Sequence, residues 1–293
     1  IVSIVNMHKS FTKNPNRCIL NLRQIEGDGG NRMIELGYTK RNLLTSLCEG
    51  SDEPLIKAAM EDAVGRAWVA EMDEPKFCVI KVGNFIYLIG LPPKGRKALD
   101  LRSILLRECN NAYIVPENDH WKHWLEDNLN CNYRMVSRYT VKREKNSCDQ
   151  SALKEWIEAI GAEYKLRKLD RTAFKKIAAN EWSSDFTCNC DEEEFFLNGT
   201  GYVVYLDKEI VSGCSVYGFS EGKVEVTIAT KLGHKRKGLA IAAAARYMLD
   251  CAREDRYPLW DTGSVHSIEL AEKLGFVADG EYQVFQIAVD DDF

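Results

Sequence analysis

The sequence predicts a mixed α/β fold in two successive domains, and three observations carry that reading. At 293 residues the chain has room for two domains of ordinary size. Its composition, 45% hydrophobic and 28% charged, is that of a globular protein. Runs of adjacent strand-like segments give way to strands alternating with helices, the pattern of an α+β mixed sheet with helical layers.

Taken in order, residues 1–75 read as mostly helical and loop-like, with a flexible turn at Gly27-Asp28-Gly29-Gly30-Asn31 and helical spacing over 53–68. Residues 77–82 and 84–89 read as two strands joined at Gly83. A helix over 99–109, a short strand over 112–115, a helix over 120–129 and an alternating strand over 133–142 follow. Residues 144–150 are polar and carry no period, so the linker is expected there, between domains 1–145 and 151–293. Beyond it come helices over 151–160 and 172–182 and a polar loop at 183–187. Strands over 201–206, 209–217 and 223–230 then lead into a long helix over 238–253. A strand at 259–261, a helix over 267–274 and a strand over 281–288 complete the chain. Residues 84–140 and 224–286 share the order strand, basic loop, helix, strand, helix, strand, which fits either a duplicated fold or an order that any mixed α/β domain can show by chance.

Bulk properties narrow the function. A net charge of −5 and the lack of a long basic run do not favour a nucleic-acid partner. No stretch approaches the roughly 20 apolar residues that span a bilayer, and Ile1-Val2-Ser3-Ile4-Val5 is too short for a signal peptide's apolar region. Ten scattered cysteines without a C-x-x-C pair read as reduced thiols of a cytoplasmic protein. Cys188 and Cys190 lack a second ligand pair, and His120 and His123 fit a Trp-rich surface helix, so no metal site is expected.

The segment from Lys223 to Arg246 carries the strongest chemical signal: a strand, a basic turn and a helix opening on Gly238, Ala240, Ala242 and Ala243. Free backbone N–H groups at a helix start, the helix dipole and nearby cations make a cradle for a pyrophosphate. Gly238 lets a phosphate come close to the backbone. Taken alone, the same pattern also describes a basic loop before an ordinary Ala-rich helix.

Downstream context favours the cradle. Lys235-x-x-Gly238-x-Ala240 resembles the pyrophosphate loop of the GCN5-related N-acetyltransferase (GNAT) superfamily, and Ser267 through Phe276 resembles its last helix with the Lys-Leu-Gly-Phe ending. Arg236-Lys237-Gly238-Leu239-Ala240, Tyr257-Pro258-Leu259-Trp260-Asp261 and Ser267 through Gly275 resemble the branch that includes the zwittermicin A resistance acetyltransferase. The close resemblance spans residues 200–288. It implies the GNAT acyl-CoA N-acyltransferase fold for the C-terminal half; if the shared element order reflects duplication, the N-terminal half is a degenerate GNAT-like copy. It also implies acetyl-CoA as donor, CoA as product and the amine of a small molecule as acceptor, such as an amino-group antibiotic or metabolite.

The resemblance places the pyrophosphate on Lys235, Arg236, Lys237, Gly238, Leu239 and Ala240, and the pantetheine arm along Ile228, Ala229 and Thr230. Glu225 stands where the superfamily often has a carboxylate base; the alternative is a paired Glu on a half-buried strand. The superfamily often has a Tyr acid where this chain has Ala271, which leaves His266, Ser267 or water to protonate the leaving thiolate. His266 also fits a surface or capping role, and Asp261 a cap on the turn after Trp260. The run Asp191-Glu192-Glu193-Glu194 fits either an acceptor site or a solvated helix start. Lys94-Gly95-Arg96-Lys97, preceded by Pro92-Pro93, lacks the cradle arrangement. A non-catalytic acyl-CoA-binding protein and a transferase using an aminoacyl-tRNA donor remain open beside the acetyltransferase. The oligomeric state is not written in the sequence.

Overall fold

The computed structural model describes residues 33–61, 64–109, 112–143, 149–187, 192–220 and 222–287. The expected turn at Gly27 to Asn31, most of the expected linker, Cys188, Cys190 and Asp191 lie outside these residues. Two compact units emerge. Among the described residues, one is built from 52–64 and 137–283, the other from 33–51, 65–136 and 284–287.

In the first unit the order along the chain begins with helix α2 (Pro54–Glu61), which follows the short α1 (Thr45–Cys48) of the other unit. Pro54 supplies a fixed φ and no N–H at the first helical position, where no donor is needed. Strand β6 (Tyr133–Lys142) enters the unit at Ser137. Helix α5 (Gln150–Glu158), strand β7 (Tyr164–Lys168), helix α6 (Arg171–Ala178), a 3-10 segment (Glu181–Thr187) and helix α7 (Glu192–Asn198) follow. Strands β8 (Gly201–Leu206), β9 (Glu209–Ser220) and β10 (Lys223–Thr230) run into helix α8 (Leu239–Arg253). Strand β11 (Tyr257–Thr262), helix α9 (Val265–Lys273) and strand β12 (Val277–Ile287) close the sequence. The strand order here is β6, β11, β10, β9, β8, β7, antiparallel except for β10 with β11. Ala243, Ala244 and Ala245 of α8 have no exposed surface, and they pack in one core with Val224, Val226 and Ile228 of β10. Methyl-sized side chains let the helix lie close on the sheet.

The second unit has strand order β1 (Ile34–Leu36), β2 (Arg66–Val69), β3 (Phe77–Val82), β4 (Phe85–Gly90), β5 (Tyr113–Pro116), then the last residues of β12. Helices α3 (Arg96–Glu108) and α4 (Asp119–Asn128) flank β5 in sequence. Its core gathers Trp68, Leu101, Trp121, Leu125 and Phe285. Here β3 and β4 are antiparallel while β4 and β5 are parallel across α3, and β9, β10, α8 and β11 repeat that pattern.

The mixed α/β class stands, with local differences from the sequence reading. The helix expected over 53–68 stops at Glu61, and Arg66–Val69 is a strand. Gly65 at φ 71°, where a Cβ would lie 2.1 Å from the Lys81 carbonyl oxygen, separates the two. Strands β1 and β7 stand where the sequence reading places no strand; β7 has charged residues at three of its five positions, which hides its period.

Candidate functional site

Strand β10 is the axis of the site. It pairs with β11 only at its start, Lys223 with Tyr257, Val224 with Pro258 and Glu225 with Leu259. Beyond Leu259, β11 turns to β6 and pairs Trp260 with Val141, Asp261 with Thr140 and Thr262 with Tyr139. β10 meanwhile continues along β9 to Thr230. Residues 226–230 thus keep one backbone edge that β11 does not take. A free strand edge offers N–H and C=O groups in a row to any extended ligand. A register shift between Glu225 and Val226 in the pairing with β9 sits beside the point of divergence, and such irregularities twist a strand locally.

The end of β10 leads into a turn and then α8. Gly238 takes the N-cap position at φ 75°, and Arg236 has φ 62°. A Cβ added at Gly238 would meet nothing within 4 Å, so glycine is favoured there by its left-handed backbone alone and faces open space. No side chain caps α8 and no acidic residue lies in its first turn. Lys237 Nζ donates to the Tyr164 hydroxyl at 3.1 Å and lies 5.8 Å from that ring's centroid, and the His234 ring meets Tyr164 edge-on. His234 Nδ1 is buried without a hydrogen-bond partner among the described residues. An uncapped fifteen-residue helix, open space at its glycine and cations in the preceding turn fit a diphosphate group.

Glu225 lies at the apex of the divergence, 4% exposed, and makes no hydrogen bond among the described residues. Its partner on β9 is Gly218, and a Cβ at Gly218 would lie 2.4 Å from Leu55 Cδ2 of α2. Directly paired strand residues share a face, so Glu225 points to the face that α2 covers. Leu259 and Asp261 share that face, as do Thr140 and Arg138. Burial, reinforced by the negative charges of Glu53 and Asp261, pushes the Glu225 carboxyl up to about 8. Arg138, buried, donates its Nε to Asp261 Oδ1 at 2.6 Å, and the Tyr282 hydroxyl donates to Asp261 Oδ2 at 2.8 Å. Burial and the Asp261 charge raise the Tyr282 phenol above its usual range.

The other residues singled out in the sequence have these places. Thr230 shares a hydrogen bond with Ser212 at 2.8 Å. Ser267 is buried and accepts from the Trp260 indole at 3.1 Å. The His266 ring is 92% exposed and its Nδ1 lies 3.4 Å from Glu269 of its own helix. Ala271, on α9, is buried in the core. Asp261 binds Arg138 and Tyr282, and the Ser264 N–H in the turn after it is taken by Thr262 Oγ1. Glu192 and Glu193 pair with Arg171 at 2.9 and 2.7 Å at the start of α7.

Glu53, Arg138 and Tyr282 escape the sequence reading. They come from segments 85 or more residues apart along the chain, and no local motif marks them. A surface cavity of about 640 Å³ in the same unit, lined by Lys175, Trp182, Lys208 and Lys231 among others, includes neither Glu225 nor Gly238. Among the described residues no group of three or more His, Cys, Asp or Glu is arranged to hold a metal, and no helix is long and apolar enough to cross a membrane.

Comparison with known proteins follows the same site. A family model described as GNAT acetyltransferase matches residues 45–285. The chain is 31% identical over 238 residues to the uncharacterized N-acetyltransferase YdfB of Bacillus subtilis (strain 168), covering 75% of this chain and 85% of that protein. A crystal structure of a GCN5-related N-acetyltransferase-like protein from Streptococcus suis 89/1591 superposes with a TM-score of 0.75 and 27% identity, over 85% of this chain and 99% of that one. A tandem GNAT protein from the clavulanic acid biosynthesis pathway matches in fold with a TM-score of 0.53 at 12% identity, over 88% of this chain and 98% of that one.

Proposed function

The chain belongs to the GNAT acetyltransferase family, and on that premise we propose that it transfers an acetyl group from acetyl-CoA to the amine of a small molecule, with Glu225 as the base. The observation that carries this reading is the divergence of β11 from β10 at Glu225, ending in the uncapped α8 turn. The donor's diphosphate would be held by the backbone N–H groups of Leu239 and Ala240 and by Lys235, Arg236 and Lys237. Its extended arm would add to the free edge that includes Ile228, Ala229 and Thr230. When bound, acetyl-CoA supplies the activated acetyl thioester.

The chain's own groups then do three things. The β10 edge orients an extended ligand by backbone hydrogen bonds. The glycine N-cap and the helix start hold negative charge away from the reacting centre. Glu225 takes the proton from an ammonium, directly or through water. A carboxyl that ionises at about 8 is well matched to that exchange near neutral pH. Ser267 and His266 stay as acid candidates only, and their engagement with Trp260 and Glu269 supports water, or unassisted departure of the thiolate, in that role. The acceptor class, an amino-group antibiotic or metabolite, and the branch near the zwittermicin A resistance acetyltransferase rest on the sequence resemblance.

The test is calorimetric titration of acetyl-CoA into the wild type and Gly238→Asp, followed by an amine panel read by free-thiol release. Micromolar binding lost in the variant with the fold retained, and CoA release driven by an amine, are expected. Binding without turnover across the panel would favour a non-catalytic acyl-CoA-binding role, and no binding by the wild type would sink the cofactor assignment.

A further inference from the structure

We propose that Tyr282 binds the acceptor, its phenol oxygen taking the N–H that the acceptor nitrogen keeps through the reaction. The inference rests on the reading of Glu225 as the base.

Strand β12 places the phenol. Along residues 277–283 every position is exposed except Tyr282. Gly280, two positions earlier, lies on the same face, and a Cβ there would be 3.4 Å from Thr140 Oγ1 of β6. Thr140 pairs with Asp261 of β11, and Asp261 follows Leu259, the partner of Glu225, by two positions. The face that carries Glu225 therefore continues across β11 and β6 to Tyr282. The charges of Asp261 and Arg138 reach both Glu225 and Tyr282, in keeping with one neighbourhood. Residues 137–283 belong to a single compact unit.

The phenol proton has a fixed direction. Asp261 accepts at both oxygens, from Arg138 Nε at 2.6 Å on Oδ1 and from the Tyr282 hydroxyl at 2.8 Å on Oδ2. An ionised carboxylate has nothing to donate, so the one phenol proton goes to Asp261. What the phenol oxygen presents elsewhere is lone pairs. An oxygen held in this way accepts from an amine, and it is not set to protonate a leaving thiolate.

The transfer itself decides which N–H is accepted. Glu225 takes one proton from the ammonium and exposes the nitrogen lone pair. Nitrogen bonds to the acetyl carbon while the carbon–sulfur bond breaks, its electron pair leaving on the CoA sulfur. That sulfur takes a second proton from the nitrogen. A primary ammonium has three protons, so its product amide keeps one N–H. A secondary ammonium has two, and its product keeps none. A fixed acceptor beside the base thus helps a primary amine through the transition state and gives a secondary amine no such help.

The experiment measures kcat/KM for phenylethylamine, ethanolamine and glucosamine, each beside its N-methyl counterpart, in the wild type and Tyr282→Phe. Tyr282→Phe should lower the value about tenfold for a primary amine, the worth of one such hydrogen bond. The N-methyl counterpart should stay within about twofold, and acetyl-CoA affinity in calorimetry should not move. Equal losses for both amines of a pair, as a packing role would give, or no loss for either, overturn the proposal. Difluorotyrosine placed at Tyr282 keeps the shape while making the oxygen a weaker acceptor and the hydroxyl a stronger acid. Primary-amine kcat/KM should then fall; an unchanged or raised value overturns the proposal. If Tyr282→Phe does not fold, or the N-methyl amines are not turned over, the fluorinated protein decides alone. No turnover of any primary amine by the wild type would instead overturn the acetyltransferase reading, and this proposal with it.

Discussion

Strands β4 with β5 and β10 with β11 make the same kind of pair, two parallel strands joined through a helix, but they end differently. In β4 and β5 the pairing runs from Phe85 with Tyr113 to Leu88 with Pro116, and the Glu117 N–H bonds on to the Leu88 carbonyl at 3.1 Å. Glu117 then caps the Gly90 N–H at 3.0 Å. In β10 and β11 the pairing stops after three residues, because β6 takes β11 from Trp260 onward. At the third paired position one strand has Tyr87 and the other Glu225. Tyr87 stacks on Phe85 with ring centroids 6.1 Å apart, whereas the Glu225 side chain makes no hydrogen bond among the described residues. The helix starts differ likewise: Lys97 of α3 is tied to Glu71 at 2.8 Å, and Pro93 accepts from the Trp124 indole. A site thus depends less on strand order than on where parallel pairing is cut short, and the buried Arg138–Asp261 pair lies on the two strands that make the cut.

The largest effect should come from the two equivalent strand positions. Glu225→Gln is expected to lower kcat/KM by about 10²- to 10⁴-fold, the usual worth of a general base, while Tyr87→Phe leaves it unchanged. Equal losses in both would break the comparison. The wild-type acid limb should lie near pH 8, with activity rising as Glu225 ionises. Stability should follow the opposite course. Because the folded-state value is raised above the ordinary 4.5, the contribution of this group is full below about pH 4.5, falls as pH rises to about 8, and is level above that. The slope is at most about 1.4 kcal/mol per pH unit. Glu225→Gln should flatten it in denaturant unfolding across that range, and gain stability over the wild type at pH 8. An equally sloped variant would show that the burial of Glu225 is relieved in solution.

The two helix starts give a second contrast on the donor side. Gly238→Asp puts a carboxylate and a strained left-handed residue into the cradle, whereas Arg96→Glu reverses a charge at the start of α3. Acetyl-CoA affinity should fall at least tenfold in the first and stay within twofold in the second, as like-charge juxtaposition is costly only where the ligand sits. Loss of binding in Arg96→Glu would give the second unit a cofactor role.

How much of this was legible follows from the range of the interactions. The α8 turn is local, so Lys235 to Ala240 announces itself through charge, glycine and a helical period within a few residues. The three strands from Gly201 to Thr230 are also local in signal, being apolar and bounded by turns. The pairing of β11 with β6 joins residues 119 or more apart, and no periodicity records it. Asp261 was visible as a residue, yet its partners Arg138 and Tyr282 were not, so a turn cap was the natural reading. Helix α2 looked like part of a longer helix, because its apolar period continues through Val64 and Trp68; Gly65, where the Lys81 carbonyl comes close, ends that run only in three dimensions.

A smaller effect tests the packing under Glu225. Gly218→Ala should cost about 1–3 kcal/mol by overpacking, toward the low end because the atom in the way, Leu55 Cδ2, ends a flexible side chain. Chemical denaturation reads this directly. No cost at all would mean that α2 does not rest on β9 in solution.

The smallest expected effect concerns the edge strands. In one unit β7 offers Tyr164 to the cradle turn, its hydroxyl accepting from Lys237 and its ring facing both Lys237 and His234. The corresponding edge strand β1 offers Glu35, which binds Arg66 at 2.6 Å and does not reach a helix start by any such contact. Tyr164→Phe removes one partly exposed hydrogen bond but keeps the ring beneath the ammonium. A loss of about 0.5–1 kcal/mol is expected, so acetyl-CoA affinity should weaken two- to fivefold in calorimetry with kcat unchanged. Tyr164→Ala, which also removes the ring, should weaken it further. If both variants bind as the wild type does, Lys237 is directed by the ligand alone, and the edge strand contributes to folding without shaping the cradle.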